Sequence, residues 1–126
     1  MQNTRTYIIV RFQVEGFHNF PQARLLFPEV GFLADEHRHI FHIQCKKEVF
    51  HDDRDVEFIM FKREIESWLY NEYGTSYPEN HPPFSYYCKF GPMSCEMIAK
   101  ALLEKFELSS CTVSEDGENA ACVELI

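Results

Sequence analysis

His37 and His39, separated by Arg38 at the head of a strand-like run, and His18 at the end of another, are the side chains here best suited to chemistry. In an extended strand, side chains two apart share a face, so His37 and His39 set two imidazoles side by side. Phe41, Ile43 and Cys45 continue that face as an apolar row that would pack inward. His18 follows Ile8, Val10, Phe12 and Val14 at one parity. If the two runs pair antiparallel, the end of the first meets the start of the second and three imidazoles converge at one sheet edge. Three histidines form the ligand set of an open zinc site, in which a fourth position is left for water or substrate. The plain alternative is a surface histidine pair beside an unrelated histidine.

The elements that must position these residues follow from periodicity. Tyr7 to Glu15 alternates as a strand, and His39 to Phe50 as a second one ending at the polar turn from His51 to Asp55. Gly16 to Glu36 is a long connection containing Pro21, Pro28 and Gly31, of the kind that is often functional. Phe58 to Tyr73 changes to helical spacing through Phe58, Phe61, Ile65, Trp68 and Leu69, and Gly74 stops it. Thr75 to Gly91, rich in Pro and Tyr, reads as a loop. Ser94 is placed as the N-cap of a second helix, with Glu96 in its first turn and Met97, Ala101, Leu102 and Phe106 on its buried face. Ser109 to Glu115 and Ala120 to Ile126 alternate around a hairpin turn, Asp116 to Asn119. In a sequential antiparallel sheet, Glu115 then ends a buried row at the same edge as the three histidines. Its plain alternative is a surface carboxylate beside a hairpin.

The 126 residues make one domain, 1–126, with enough apolar and aromatic content (12 Phe, 6 Tyr, 1 Trp) for a packed core. A net charge of −8 excludes a cationic footprint for nucleic acid, although it leaves room for a small basic spot that could hold a triphosphate. Five cysteines, Cys45, Cys88, Cys95, Cys111 and Cys122, form no Cys-x-x-Cys pair and fit reduced thiols better than a disulfide framework. No apolar run is long enough for a signal peptide or a membrane span. The expectation is a cytoplasmic protein with no nucleic-acid or membrane partner. Cys88 and Cys95 are read as buried structural thiols rather than nucleophiles. His42, by parity, and His51, in a turn, are left out of the site.

With these residues in place, the chain resembles the 6-pyruvoyltetrahydropterin synthase family, which includes the 6-carboxytetrahydropterin synthases of queuosine biosynthesis. Five segments carry the resemblance across nearly the whole chain: Glu15-Gly-Phe-His18, His37-Arg-His39-Ile-Phe41, Val56-Glu-Phe58, Ser94-Cys-Glu96 with Ile98-Ala99, and Val113-Ser-Glu115. The resemblance implies an α+β tunnelling fold: a four-stranded antiparallel sheet with two helices inserted between the second and third strands (ββααββ). It also implies homo-oligomers, trimers pairing into hexamers, with sites between subunits. It makes His18, His37 and His39 the ligands of Zn2+. Glu115 becomes the anchor for the amino-pyrimidinone edge of a pterin or guanine-like ring, whose two parallel N–H donors suit a carboxylate. Ser94 and Glu96 join it as substrate-binding residues.

The departures are specific. Leu33 stands where synthases carry a catalytic Cys four residues before the His-x-His segment, and the Asp-His pair expected after the first helix is missing near Tyr73-Gly74. Arg38 replaces a small Gly between the two ligands, which crowds or charges the opposite strand face. The candidates for a substitute base are His81, Asp35 and Glu36, in that order. The resemblance therefore implies a divergent zinc-dependent lyase acting on dihydroneopterin triphosphate or a related pterin, leading to a tetrahydropterin or a 7-deazaguanine. The alternative is a zinc-containing pterin- or purine-binding protein that has lost the synthase reaction. A third reading is an oligomer of this fold whose histidines bind nothing.

Overall fold

The structure is a computed structural model that describes residues 2–126. Strand β1 (Thr6–His18) and strand β2 (His37–Val49) pair antiparallel without a break, from Thr6 opposite Val49 to His18 opposite His37. The first strand thus runs three residues past the sequence expectation, because its partner continues to supply hydrogen bonds as far as the histidines. The connection between them is ordered as a short helix α1 (Ala23–Leu26) and a 3-10 helix (Pro28–Ala34).

Helix α2 (Phe58–Tyr73) is capped by Glu57, whose carboxylate accepts the N–H groups of Ile59 and Met60 at 3.0 and 3.1 Å. Helix α3 (Cys95–Phe106) starts as read, with Ser94 Oγ accepting the Met97 N–H at 3.2 Å. Its buried face is carried by Ile98, Ala99, Leu102, Leu103 and Phe106, whereas Met97 is 55% exposed. The stripe is therefore turned by one position from the one expected.

The four strands expected, β1, β2, β5 (Ser110–Glu115) and β6 (Ala120–Glu124), do pair in sequential antiparallel order. The sheet itself has six strands, not four. Within the supposed loop 75–91 lie β3 (Gly74–Ser76, beginning one residue earlier) and β4 (Tyr86–Gly91), and the order is β3-β4-β1-β2-β5-β6. Strand β4 runs parallel to β1, so the sheet is mixed rather than purely antiparallel. The two helices are accordingly separated in the chain by the β3–β4 pair.

Both helices cover one face of this sheet, α2 over β1 and β4 and α3 over β5 and β6. The core joins Val10, Val14, Phe41, Ile43 and Val113 from the strands to Ile65, Leu69, Ile98 and Leu102 from the helices. The opposite face is polar, with Arg11 Nε donating to Gln44 Oε1 at 2.8 Å. Among the described residues, no helix is long and apolar enough to cross a membrane.

Gly16 controls how the core meets the sheet edge. A Cβ at this position would lie 2.8 Å from ring atoms of both Phe41 and Phe90, two buried aromatics that pack at 5.2 Å between centroids. Rigid rings in a dense core cannot yield cheaply, so Gly16→Ala is expected to cost about 1–3 kcal/mol. Urea unfolding measures this; an unchanged midpoint would mean that the rings shift freely.

Candidate metal centre

The ends of β1 and β5 and the start of β2 meet at one corner of the sheet, on the face that the helices cover. His18, His37, His39 and Glu115 are gathered there, each offering a ligand atom within 4.8 Å of the others. The imidazole centroids lie 4.6 Å (His18–His37), 5.0 Å (His37–His39) and 5.2 Å (His18–His39) apart. Phe41 forms the floor, fully buried and edge-on to His18 at 5.1 Å and to His39 at 5.7 Å. Strand alternation and the antiparallel pairing of β1 with β2 and of β2 with β5 bring these four residues together.

Each imidazole is held from behind by an acceptor. His18 Nδ1 lies 2.8 Å from the Met93 carbonyl, His37 Nδ1 lies 2.9 Å from the Asp35 carbonyl, and His39 Nδ1 lies 2.7 Å from Asp116 Oδ2. Carbonyl and carboxylate oxygens only accept, so all three Nδ1 atoms carry the proton and donate it. Neutral rings of this tautomer present Nε2 lone pairs. His18 Nε2 and His39 Nε2 lie 2.8 and 3.1 Å from Glu115 Oε2, itself an acceptor. Despite that proximity, the buried His18 Nε2 makes no hydrogen bond. Burial is also the largest influence on His18 and lowers its pKa, which favours the uncharged ring.

Lone pairs and a carboxylate oxygen converging in a half-buried corner repel one another unless a cation stands between them. The donor set, three imidazole nitrogens and one carboxylate oxygen, is one that borderline divalent ions take. The residues present therefore fit a metal ion.

Two supporting residues have different histories in the sequence. Asp116 appeared only as a hairpin corner. In the structure it adopts a left-handed backbone (φ 56°), its Oδ1 accepts the Ile40 N–H at 2.9 Å and its Oδ2 orients His39. These contacts hold its carboxyl below the usual range, the Ile40 N–H first and His39 second. The only local signal was an Asp directly after Glu115; its reach to His39 follows from the pairing of Phe41 with Glu115 across β2 and β5. Arg38 does charge the opposite strand face: its Nε donates to Glu15 Oε2 at 2.6 Å, and Glu15, 4% exposed, also accepts from the Tyr77 hydroxyl. This pair ties the histidine ends of β1 and β2 together from behind.

Beside the centre opens a cavity of about 740 Å³. His18, His37 and Glu115 form one end, Ser94 and Glu96 lie at the start of α3, and Phe20, Phe27, Leu33, Met93 and Met97 supply apolar wall. Ser94 uses its hydroxyl oxygen to cap α3, whereas Glu96 is exposed. Leu33 lies against the cavity. The three candidate bases are not gathered at the centre within this chain. Asp35 turns its carboxylate to Arg24 at 2.8 Å and contributes only its carbonyl, Glu36 is exposed, and His81 stacks on Tyr77 at 4.0 Å. Tyr77 in turn bonds Glu15, whose parity directs it to the other face of β1.

The thiols behave as structural groups. Burial pushes Cys88 up to about 12, and burial together with the Glu115 and Glu96 carboxylates pushes Cys95 to about 12. Cys122 alone among the cysteines is exposed. A thiol reagent at pH 7.5 is expected to label Cys122 promptly and the other four only on unfolding; prompt loss of Cys95 from the native pool, read by peptide mass, would contradict this.

Comparison with known proteins adds one result. The structure superposes on 6-pyruvoyl tetrahydropterin synthase from Caenorhabditis elegans with a TM-score of 0.67 over 100% of this chain and 99% of that one, at 12% identity. The chain has the fold of the 6-pyruvoyl tetrahydropterin synthases. The enzyme of Plasmodium vivax gives a TM-score of 0.54 at 16% identity, covering 98% of this chain and 99% of that one. An uncharacterized protein from Wolinella succinogenes gives 0.62 at 16% identity, over 98% and 100%. No family model and no curated protein sequence matches the chain. The likeness to these synthases therefore lies in the backbone path, with few residues kept in common.

Proposed function

We propose that this chain is a divergent, zinc-dependent protein of the pterin synthase type, acting on dihydroneopterin triphosphate or a related pterin. The observation that carries this reading is the convergence of three Nδ1-anchored imidazoles and Glu115 at one end of a cavity of about 740 Å³, on a synthase fold. His18, His37 and His39 would hold the ion. Zinc in such a site polarises a bound hydroxyl or carbonyl oxygen and acidifies the neighbouring carbon.

The chain's own residues divide the remaining work. Glu115 faces the imidazoles through Oε2, so it acts on the metal side and closes the ligand set when no substrate is present. Glu115 and Glu96, the two carboxylates of the cavity, are the groups that would accept the ring's N–H donors. Phe20, Phe27 and Met93 flank the ring and exclude water, and Leu33 supplies bulk where a thiol would act.

A binding role without turnover is favoured by one observation: neither Leu33 nor the carboxylates of Asp35 and Glu36 can take a proton at the site as placed. His81 would reach a site only from a neighbouring copy in a trimer or hexamer. Calorimetry of the zinc-loaded protein with pterin and with lumazine, which lacks the 2-amino group, tests the reading. Pterin is expected to bind at least about tenfold tighter, because losing a charge-assisted hydrogen bond between the 2-amino group and the carboxylate costs about 1.5–3 kcal/mol. Equal affinities would contradict it. Turnover of dihydroneopterin triphosphate then separates synthase from binding protein.

A further inference from the structure

Among the described residues, His18 and Glu15 are the polar side chains that the fold buries. His18 belongs to the candidate ligand set; Glu15, on the same strand, has the opposite parity and lies on the other face of the sheet. Along that face β1 is exposed at Arg11 and Gln13 and closes at Glu15. Two contacts close it. Arg38, which lies between His37 and His39 on β2, donates from Nε to Glu15 Oε2 at 2.6 Å, and the Tyr77 hydroxyl donates to Oε1. Tyr77 also stacks on His81 at 4.0 Å and packs on Tyr87 at 5.1 Å, which in turn meets Phe17 edge-on at 5.5 Å. One carboxylate thus holds both ligand-bearing strands and the connection between β3 and β4.

A carboxylate is costly to bury and is kept inside a fold when its oxygens are engaged. Its place here matters to the histidines. They stand at the last pair of the β1–β2 ladder, His18 opposite His37, and the ends of elements open more readily than their middles. Arg38 faces Phe17 and Glu15 faces Ile40, so the ion pair is a diagonal tie across the two strands just inside that last pair. Donors held in place in advance spare an incoming ion the entropy of ordering them.

We propose that Glu15 is a positioning residue for the metal centre: through Arg38 it pre-organises the histidine ends of β1 and β2, and through Tyr77 it fastens residues 77–85 behind them. This rests on the metal reading above and adds a determinant of affinity on the face of the sheet away from the ion.

Competition titration against a zinc chelator on the full chain tests it. Glu15→Gln keeps the size and removes the charge, and is expected to weaken zinc binding by about tenfold. That is the low end of the range for groups that hold a ligand directly, because Glu15 acts one contact further out. Tyr77→Phe removes one hydroxyl and is expected to weaken it by about threefold and to quicken amide exchange in residues 77–85. Arg38→Gln in the Glu15→Gln background is expected to add less than about twofold, since both residues act through one contact. Unfolding midpoints are read alongside. A purely structural role would lower the midpoint and leave the zinc affinity of the folded protein as in wild type; that result in both single variants would overturn the inference and leave the metal reading standing. Losses that multiply in the double variant would overturn it too. Should Glu15→Gln fail to fold, the zinc affinity of Tyr77→Phe decides alone. Wild-type protein that holds no zinc would overturn both readings.

Discussion

Replacing His37 and His39 together with alanine is expected to leave a folded chain that no longer holds zinc. The two residues supply two of the three nitrogen donors, and a single imidazole with one carboxylate is a poor site for a borderline ion. Occupancy should fall from about one ion per chain to less than about a tenth, measured by elemental analysis after dialysis. The fold should survive, because His37 is outside the apolar core and His39 caps it without being part of it. Circular dichroism and the unfolding midpoint check that condition. Full occupancy in the folded double variant would mean that the ion is bound elsewhere.

A second large effect is expected at Asp116, which touches no ligand atom of the ion. Its carboxylate fixes the tautomer and plane of His39 through the 2.7 Å contact to Nδ1. Groups in this position typically control metal affinity by about 10–100-fold. Asp116→Gly suits the left-handed backbone (φ 56°) and removes the acceptor, so it is expected to show the full loss. Asp116→Asn keeps an acceptor oxygen and tolerates the same backbone, and should fall between wild type and Gly. Competition titration against a zinc chelator measures all three. Equal affinities would assign Asp116 to the hairpin alone.

These two predictions also show which parts of the molecule could be read from the sequence. The histidine corner was legible because it depends on two local rules, strand parity and pairing of consecutive strands, and the register of β1 with β2 obeys both from Thr6 to His18. Glu115 followed from the same logic one strand further on. Strand β4 was hidden because its pairing is parallel to β1 and non-local, and because Tyr86 to Gly91 follows a stretch broken by Pro78, Pro82 and Pro83. Periodicity within six residues cannot outweigh such neighbours. The supports behind the imidazoles, Met93, Asp35 and Asp116, were hidden for another reason. Two of them act through backbone carbonyls, which carry no residue identity, and the third depends on a register between strands more than 70 positions apart.

The departures from the synthase pattern now have physical content. Arg38 is not a defect between two ligands, since it pairs with a nearly fully buried Glu15 and braces the strand ends that carry the histidines. Leu33 contributes apolar wall to the cavity beside the histidines.

X-ray absorption at the zinc edge, on protein purified without added metal, tests the central claim most directly. The account predicts a first shell of nitrogen and oxygen at about 2.0–2.1 Å with the outer-shell scattering of three imidazoles. A shell containing sulfur at about 2.3 Å, or no bound zinc at all, would contradict it.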